Sequence, residues 1–376
     1  MVITINIICA LLTLFYVGLL LLLNRGWLRL PDFRAVKKEP VTSVSIIIAA
    51  RNEEANIART IDAILVQTYP RQLYELIVVD DHSTDKTAEI IRGYQKDGVK
   101  LVQLNEKEIL NSYKKKAIAE AISTSSGELI VTTDADCYMG SKWLETIVNY
   151  YEQKDFKMIS SPVCYFEERN SFEEMQTLEF LFLIGLGAAG IGNKMPTTCN
   201  GANLSYRKDA FLEVGGFKGI DNLASGDDEL LLHKIGTRYP DGIGFCKSKD
   251  AVVYTQAKET LKEFISQRKR WASKSTKYKD KRIVFVAVFV WLFNAFLLAN
   301  FFMAFFVDYA MKAFLFQYLV KMLFEIVFLS KVTAFNKRSE LLKYVPVLSL
   351  IHPVYMVYIG LVGNSGKYDW KGRMVR

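Results

Sequence analysis

Two stretches place paired carboxylates where apolar, β-type runs stop. "VVDD" ends one run with Asp80 and Asp81, and "VTTDAD" ends another with Asp134 and Asp136. A single aspartate after a strand is an ordinary turn former. Here two strand ends carry pairs, and Lys114, Lys115 and Lys116 open the segment between them. Four acids gathered at one edge repel one another. A divalent cation relieves that repulsion, and Mg²⁺ or Mn²⁺ takes oxygen ligands while keeping positions for water and phosphate. The chemistry expected of these residues is binding of a metal ion and a phosphate-bearing ligand.

The elements that must position them alternate. "VSIIIAA" (44–50) is a continuous apolar run, as for a strand buried on both faces. "NEEANIARTIDAILVQ" follows with helical spacing, and Glu53 and Glu54 are expected in its first turn. "YELIVVDD", "VKLVQLN" and "ELIVTTDAD" read as strands, separated by the helical segments "STDKTAEIIRGYQKDG" and "KKKAIAEAISTSSG". This rhythm predicts an α/β domain with a parallel sheet and helices on both sides. Such sheets bind ligands at the carboxyl ends of their strands, where the acids lie.

Hydrophobic residues make up 51% of the 376 residues, which leans toward a membrane protein, whereas 23% charged residues is normal for a soluble domain. The two signals separate along the chain. Residues 3–23 carry no charge and are long enough to span a bilayer. They lack a basic leader and a small-residue cleavage site, which favours an anchor over a cleaved signal. Arg25, Arg29, Arg34, Lys37 and Lys38 follow, and would hold what comes after them in the cytosol. Further apolar segments lie between 283 and 363, with Lys321 and Glu325 four apart on one of them. The segment 344–363 carries Pro346 and Pro353; it either spans or is re-entrant or interfacial, since the basic residues after it favour the cytosolic side. The expected division is a transmembrane helix (1–24), a cytosolic domain with interfacial helices (41–280), a C-terminal transmembrane region (283–363) and a basic tail (364–376), in a multi-pass plasma-membrane protein. The apolar stretch 171–192 is either a buried or an interfacial helix. Five cysteines without paired spacing predict neither a zinc site nor a disulfide framework. The net charge of +8 is expected to meet anionic lipid; no recognition motif points to nucleic acid.

"VSIIIAARNEEANI", "LIVVDDHSTDKT" and "TTDADC" resemble the successive motifs of family-2 glycosyltransferases. "CNGANLSYRKDAFLEVGGF" (199–217) and "SGDDELLLHKI" (225–235) resemble that family's acceptor-side segments. "QRKRW" (267–271) is similar to the Q-x-x-R-W motif of its cellulose-, chitin- and hyaluronan-synthase branch. The resemblance covers roughly residues 41–275. It implies a Rossmann-like nucleotide-sugar-binding domain of GT-A type with flanking transmembrane helices, a UDP-sugar donor, Mg²⁺ or Mn²⁺, and a lipid or polysaccharide acceptor. On this resemblance Ala50, Arg51 and Glu53 line the nucleotide, and Asp80 and Asp81 contact the base and ribose. Asp134 belongs to the donor site and Asp136 to the metal. Lys114 or Lys115 approaches the nucleotide. Asp228 aligns with the catalytic base and Asp227 with the acid before it. Gln267 and Arg270 meet the diphosphate; Asn200, Gly201 and Trp271 lie on the acceptor side.

Transfer with inversion needs a base on the face opposite the leaving group and positive charge on the departing diphosphate. An aromatic ring such as Trp271 can cover a sugar face. Two other readings stay open: a metal-dependent phosphohydrolase or nucleotidyltransferase, and a membrane scaffold in which Asp227 and Asp228 only cap a helix.

Overall fold

The computed structural model describes residues 2–36, 38–105, 112–273, 280–362, 368–370 and 373–375. Lys37 and parts of the basic tail lie outside the described residues. Strands β1 (Val44–Ala50), β2 (Tyr74–Asp80), β3 (Val99–Gln103) and β4 (Leu129–Asp134) are mutually parallel, in the order β3-β2-β1-β4. The continuous apolar runs of β1, β2 and β4 are buried because both faces are covered. Ala50 is in register with Asp80, and Ala49 with Asp134, so the acids leave the sheet at one level.

Short strands β5 (Tyr138–Met139), β6 (Met158–Ser160), β7 (Val163–Tyr165), β8 (Leu204–Arg207), β9 (Ile243–Phe245) and β10 (Val253–Thr255) follow. β8 joins β4 antiparallel and extends the main sheet to seven strands, β3-β2-β1-β4-β8-β6-β9. The β5, β10 and β7 strands form a separate small sheet. The sheet is therefore mixed: the parallel half read from sequence continues into an antiparallel strand that carries the 199–207 segment back across β4.

Helix α1 (Val2–Arg29) precedes the domain. α2 (Ile57–Leu65), α3 (Thr87–Gly93), α4 (Tyr113–Thr124) and α5 (Trp143–Gln153) connect or flank the strands. α2 begins three residues after Glu54, so neither Glu53 nor Glu54 is in its first turn. Both belong to the preceding turn, where Glu53 accepts from Asn56 Nδ2 (3.2 Å) and Glu54 from Lys86 N (2.9 Å).

α6 (Ser171–Gly192) is mostly buried and packs on α1 through glycines. A Cβ at Gly26 would lie 2.1 Å from Ala189 O, and one at Gly192 2.1 Å from Gly26 O. Absent side chains let these two backbones meet, the device that holds apolar helices together without a hydrophobic driving force. α7 (Lys208–Glu213), α8 (Glu229–Arg238) and α9 (Leu261–Ala272) complete the domain.

α10 (Lys281–Met303), α11 (Asp308–Phe335) and α12 (Val345–Val362) follow, and β11 (Tyr368–Trp370) pairs antiparallel with β12 (Arg373–Val375). Among the described residues, five helices are long and apolar enough to cross a membrane: α1, α6, α10, α11 and the segment containing α12. Their contacts include polar groups. Lys321 Nζ donates to Glu325 Oε1 (2.6 Å), as does Tyr16 Oη (2.6 Å), and Ser349 Oγ donates to Glu325 Oε2 (3.1 Å). Asn300 donates to Gln317 (2.9 Å).

Candidate active site

The ends of β1 and β2 are sewn together. Arg51 Nη1 donates to the carbonyls of Asp81 (2.9 Å) and His82 (2.6 Å). Asn52 N donates to Ser83 Oγ (3.0 Å), and Thr84 N to Asn52 Oδ1 (2.9 Å). Asn52 and His82 take positive φ, 50° and 54°, which lets both loops turn within a few residues. Glu53 N donates to Thr87 Oγ1 (2.7 Å), and Ala50 O accepts from Asp81 N (2.8 Å). Asp80 and Asp81 are both buried. Asp80 accepts from Ser83 N (3.3 Å) and Gln103 (3.5 Å).

Asp81 meets a residue that the sequence reading left in the tail. Arg373 Nη1 lies 2.9 and 3.1 Å from its two oxygens, and the guanidinium sits 3.8 Å from the Tyr113 ring centroid. β11 packs on α9, so the paired strands bridge α9 and Asp81. Only the net charge of "GKYDWKGRMVR" was legible beforehand, and charge does not say which cation docks. Burial, and then Arg373, lowers the pKa of Arg51, with Asp81 opposing.

The second acidic end is organised by one cation. Lys114 Nζ lies 2.7 Å from Asp134 Oδ1 and 3.2 Å from Asp227 Oδ2. Burial alone would depress the ammonium's pKa; Asp134 and Asp227, with Asp228 adding, raise it instead. Lys115 is buried and donates to the carbonyls of Leu223 and Ser225 (2.8 Å), holding the loop before Asp227. The two lysines part in space. Lys114 faces the acids, and Lys115 buttresses the chain behind them.

Asp228 opens α8 as its N-cap, Oδ1 accepting from Glu229 N (2.6 Å). Its Oδ2 accepts from Gly201 N (3.1 Å). Gly201 O in turn accepts from Thr132 Oγ1 (3.1 Å) on β4, and Asn200 Oδ1 accepts from Ala202 N (2.9 Å). The 200–203 turn therefore ties Asp228 to the central sheet.

Asp136 follows β4 in a turn and is half-buried, lining a small hollow with Asn56, Arg59, Thr60, Tyr138 and Gln256. Burial, Asp136 and Asp134 together hold the neighbouring Cys137 thiol well above its ordinary pKa. Among the described residues no three His, Cys, Asp or Glu side chains converge as metal ligands. Protein cations sit among these acids, Lys114 between Asp134 and Asp227 and Arg373 on Asp81. The donor set fits an ion that takes one or two carboxylates and completes its shell with diphosphate and water, the habit of Mg²⁺ and Mn²⁺.

Gln267, Arg270 and Trp271 lie on α9, which starts with a Thr260–Glu263 capping box. Trp271 packs with its ring centroid 6.0 Å from that of Phe180 on α6.

The description glycosyl transferase family 2 matches residues 45–215. Over that stretch, a little under half of the chain, the domain is similar to family 2 glycosyltransferases. That domain contains β1 to β8 with Asp80, Asp81, Lys114, Asp134, Asp136 and Gly201; Asp227, Asp228 and α9 lie beyond the matched stretch. The fold is of GT-A type. A mannosyltransferase from Pyrobaculum calidifontis, solved with GDP-Man and Mn²⁺, shares it with a TM-score of 0.56 and 19% identity, over 96% of this chain and 98% of that one. The glycosyltransferase AglE of Haloferax volcanii is 31% identical over 49% of this chain and 58% of its own. The probable glycosyltransferase YdaM of Bacillus subtilis is 27% identical over 71% and 66%. A β-monoglucosyldiacylglycerol synthase of a Nostoc species is 34% identical over 30% and 24%. The chain spans less than two thirds of the length of each of these three relatives.

Proposed function

We propose that the chain is an inverting, membrane-bound glycosyltransferase of the Q-x-x-R-W branch that moves a sugar from a UDP-sugar to a lipid hydroxyl. The observation that carries this reading is the convergence of Asp134, Asp227 and Lys114 at the carboxyl edge of the sheet, with Asp228 fixed beside them by Gly201. Asp81 and the loop 50–53 receive the nucleoside. Asp228 accepts the proton of the acceptor hydroxyl as its oxygen attacks the anomeric carbon. Asp227, paired with Lys114, shapes the same wall. Arg270 and Gln267 offer donors to the departing diphosphate. A Mg²⁺ or Mn²⁺ held by Asp136, with Asp134 beside it, would add positive charge to that leaving group.

Two features favour a lipid acceptor over a secreted polymer. The α1, α10, α11 and α12 helices pack on one another, with buried side chains such as Tyr16, Phe293, Lys321 and Phe328 among them. One of the relatives is a glycolipid synthase by name. The domain is read as cytosolic. This agrees with Arg373 reaching Asp81, which keeps the tail on the domain's side.

The test incubates membranes holding the full chain with radiolabelled UDP-glucose, UDP-N-acetylglucosamine and GDP-mannose. A single labelled glycolipid, lost in Asp228→Asn while UDP binding persists, is expected. Release of phosphate from simple esters without sugar transfer, or full transfer by Asp228→Asn, would refute the reading.

A further inference from the structure

Within the sequence QRKRW, the residue the structure buries is Arg268. It is 2% exposed, although it sits between Gln267 and Lys269 on a helix rich in charged side chains. Its guanidinium makes a two-point contact with Glu179 of α6, Nε to Oε1 at 3.2 Å and Nη2 to Oε2 at 2.7 Å. Nη1 donates to the side-chain oxygen of Gln267 at 2.5 Å. The flat face of the group lies 4.3 Å from the Trp271 ring centroid and 4.5 Å from that of Phe264.

A buried ion pair is weak support for stability, because desolvation of both ions consumes most of their attraction. What such a pair supplies well is geometry. Arginine presents a rigid planar fork that a lysine cannot reproduce. Here the fork grips a residue of the mostly buried helix α6 with one edge, an amide oxygen with the other, and an indole with its face. Holding Gln267 by its oxygen settles the amide orientation and leaves the NH₂ end as a donor. Holding Trp271 by cation–π contact sets the plane of the ring. Phe180 backs that ring from α6 and is itself stacked on Tyr165 at 4.3 Å.

We infer that Arg268 is a positioning residue, orienting Gln267 toward the donor diphosphate and Trp271 toward the acceptor from one buried clamp on Glu179. It touches no substrate and acts through its two neighbours. The inference rests on the glycosyltransferase reading and extends it to a residue which that reading leaves without a role.

The experiment is a mutant cycle in membranes carrying the full chain, supplied with whichever of UDP-glucose, UDP-N-acetylglucosamine or GDP-mannose the wild type consumes. Two quantities are read: donor KM, and the ratio of sugar transferred to membrane lipid against sugar released to water. Gln267→Ala is expected to raise donor KM, and Trp271→Ala to lower the transfer ratio. Arg268→Lys is expected to do both, each by about tenfold, the loss that follows from one misplaced charge-assisted contact. On the Gln267→Ala/Trp271→Ala background Arg268→Lys should add almost nothing to either quantity. Glu179→Gln, which loosens the clamp but keeps the guanidinium, is run in parallel and should shift both readouts in the same direction. Donor hydrolysis reports folded sites in every preparation. Full additivity of Arg268→Lys on the double background, or unchanged KM and ratio in Arg268→Lys and Glu179→Gln, overturns the inference and leaves the enzyme reading standing. A wild type that consumes no nucleotide sugar takes both down.

Discussion

The ammonium of Lys114 lies 2.7 Å from Asp134, and that contact ties the start of α4 to the end of the central strand β4. The same ammonium is 3.2 Å from Asp227, so two carboxylates from distant parts of the sequence share a single positive charge. Lys114→Gln leaves both acids facing each other without it. Transfer should fall by about 10²-fold, the scale of removing one preorganised charge from a reaction site. Lys114→Arg should retain much more of the rate. The raised pKa of Lys114 keeps it cationic throughout the range in which free lysine is charged, so any loss of activity below pH of about 10 comes from another group. Rate–pH profiles of both variants decide this, and an unimpaired Lys114→Gln would remove Lys114 from the site.

Gly201 offers a finer probe of the same wall. A Cβ there would stand 3.3 Å from Asp227 Oδ2 and 3.4 Å from Asp228 Cβ, so Asp227 must yield by a few tenths of an ångström while Asp228 is met in ordinary contact. Its φ is not in the left-handed region, and backbone strain does not enter. Gly201→Ala should therefore lower the turnover rate by about tenfold through misplacement of Asp227, with little change in melting temperature. The contrasting substitution is Gly26→Ala, whose Cβ would meet Ala189 O at 2.1 Å. It should loosen α1 from α6 and lower thermal stability far more than it alters donor KM. A Gly201→Ala protein that melts early with a normal rate per folded molecule would contradict the assignment.

Periodicity made the parallel half of the sheet legible, because a strand buried on both faces must be apolar throughout, as Ile46, Ile47 and Ile48 are. The acids at the strand ends were legible because few other positions tolerate paired charge. The partners of those acids were not. Lys114 and Lys115 are adjacent in a run of three, and only the rotation of α4 decides which faces Asp134 and which reaches Leu223 and Ser225. Arg373 is 292 residues from Asp81, and no local pattern encodes so distant a pairing. Gly201 read as part of an acceptor motif, and the bond from its N–H to the Asp228 carboxylate was not legible beside that. β8 was missed because a four-residue strand carries too short an alternation to read.

The metal expectation now rests on Asp136 and the diphosphate rather than on crowded carboxylates. UDP should bind more tightly with Mn²⁺ than in chelator, and Asp136→Asn should abolish the difference while leaving metal-free binding nearly intact. Calorimetric titrations of the detergent-solubilised protein with UDP, with and without Mn²⁺, measure both. Equal affinities in the wild type would exclude a metal role in holding the nucleotide.

Acid should attack the far end of the sheet from the site. Glu75 accepts from Ser45 Oγ (2.5 Å), from Ser126 N (2.6 Å) and from Lys100 (2.6 Å), tying β1, β2 and β3 to the turn before β4. Burial alone would raise its pKa, but Lys100, Ser126 and Ser45 outweigh burial and hold it at about 2. A carboxyl whose pKa is lower folded than unfolded binds its proton more readily once the chain opens. Its contribution is therefore complete above the ordinary glutamate value of about 4.3 and drains as pH falls toward about 2. Urea midpoints of the solubilised protein taken between pH 7 and pH 3 should fall steeply for the wild type and more gently for Glu75→Gln. The gap between the two proteins should be widest at neutral pH and narrow with acid. A gap that stays constant over that range would mean that the charge of Glu75 carries none of the stability, and that its hydrogen bonds alone hold the strands.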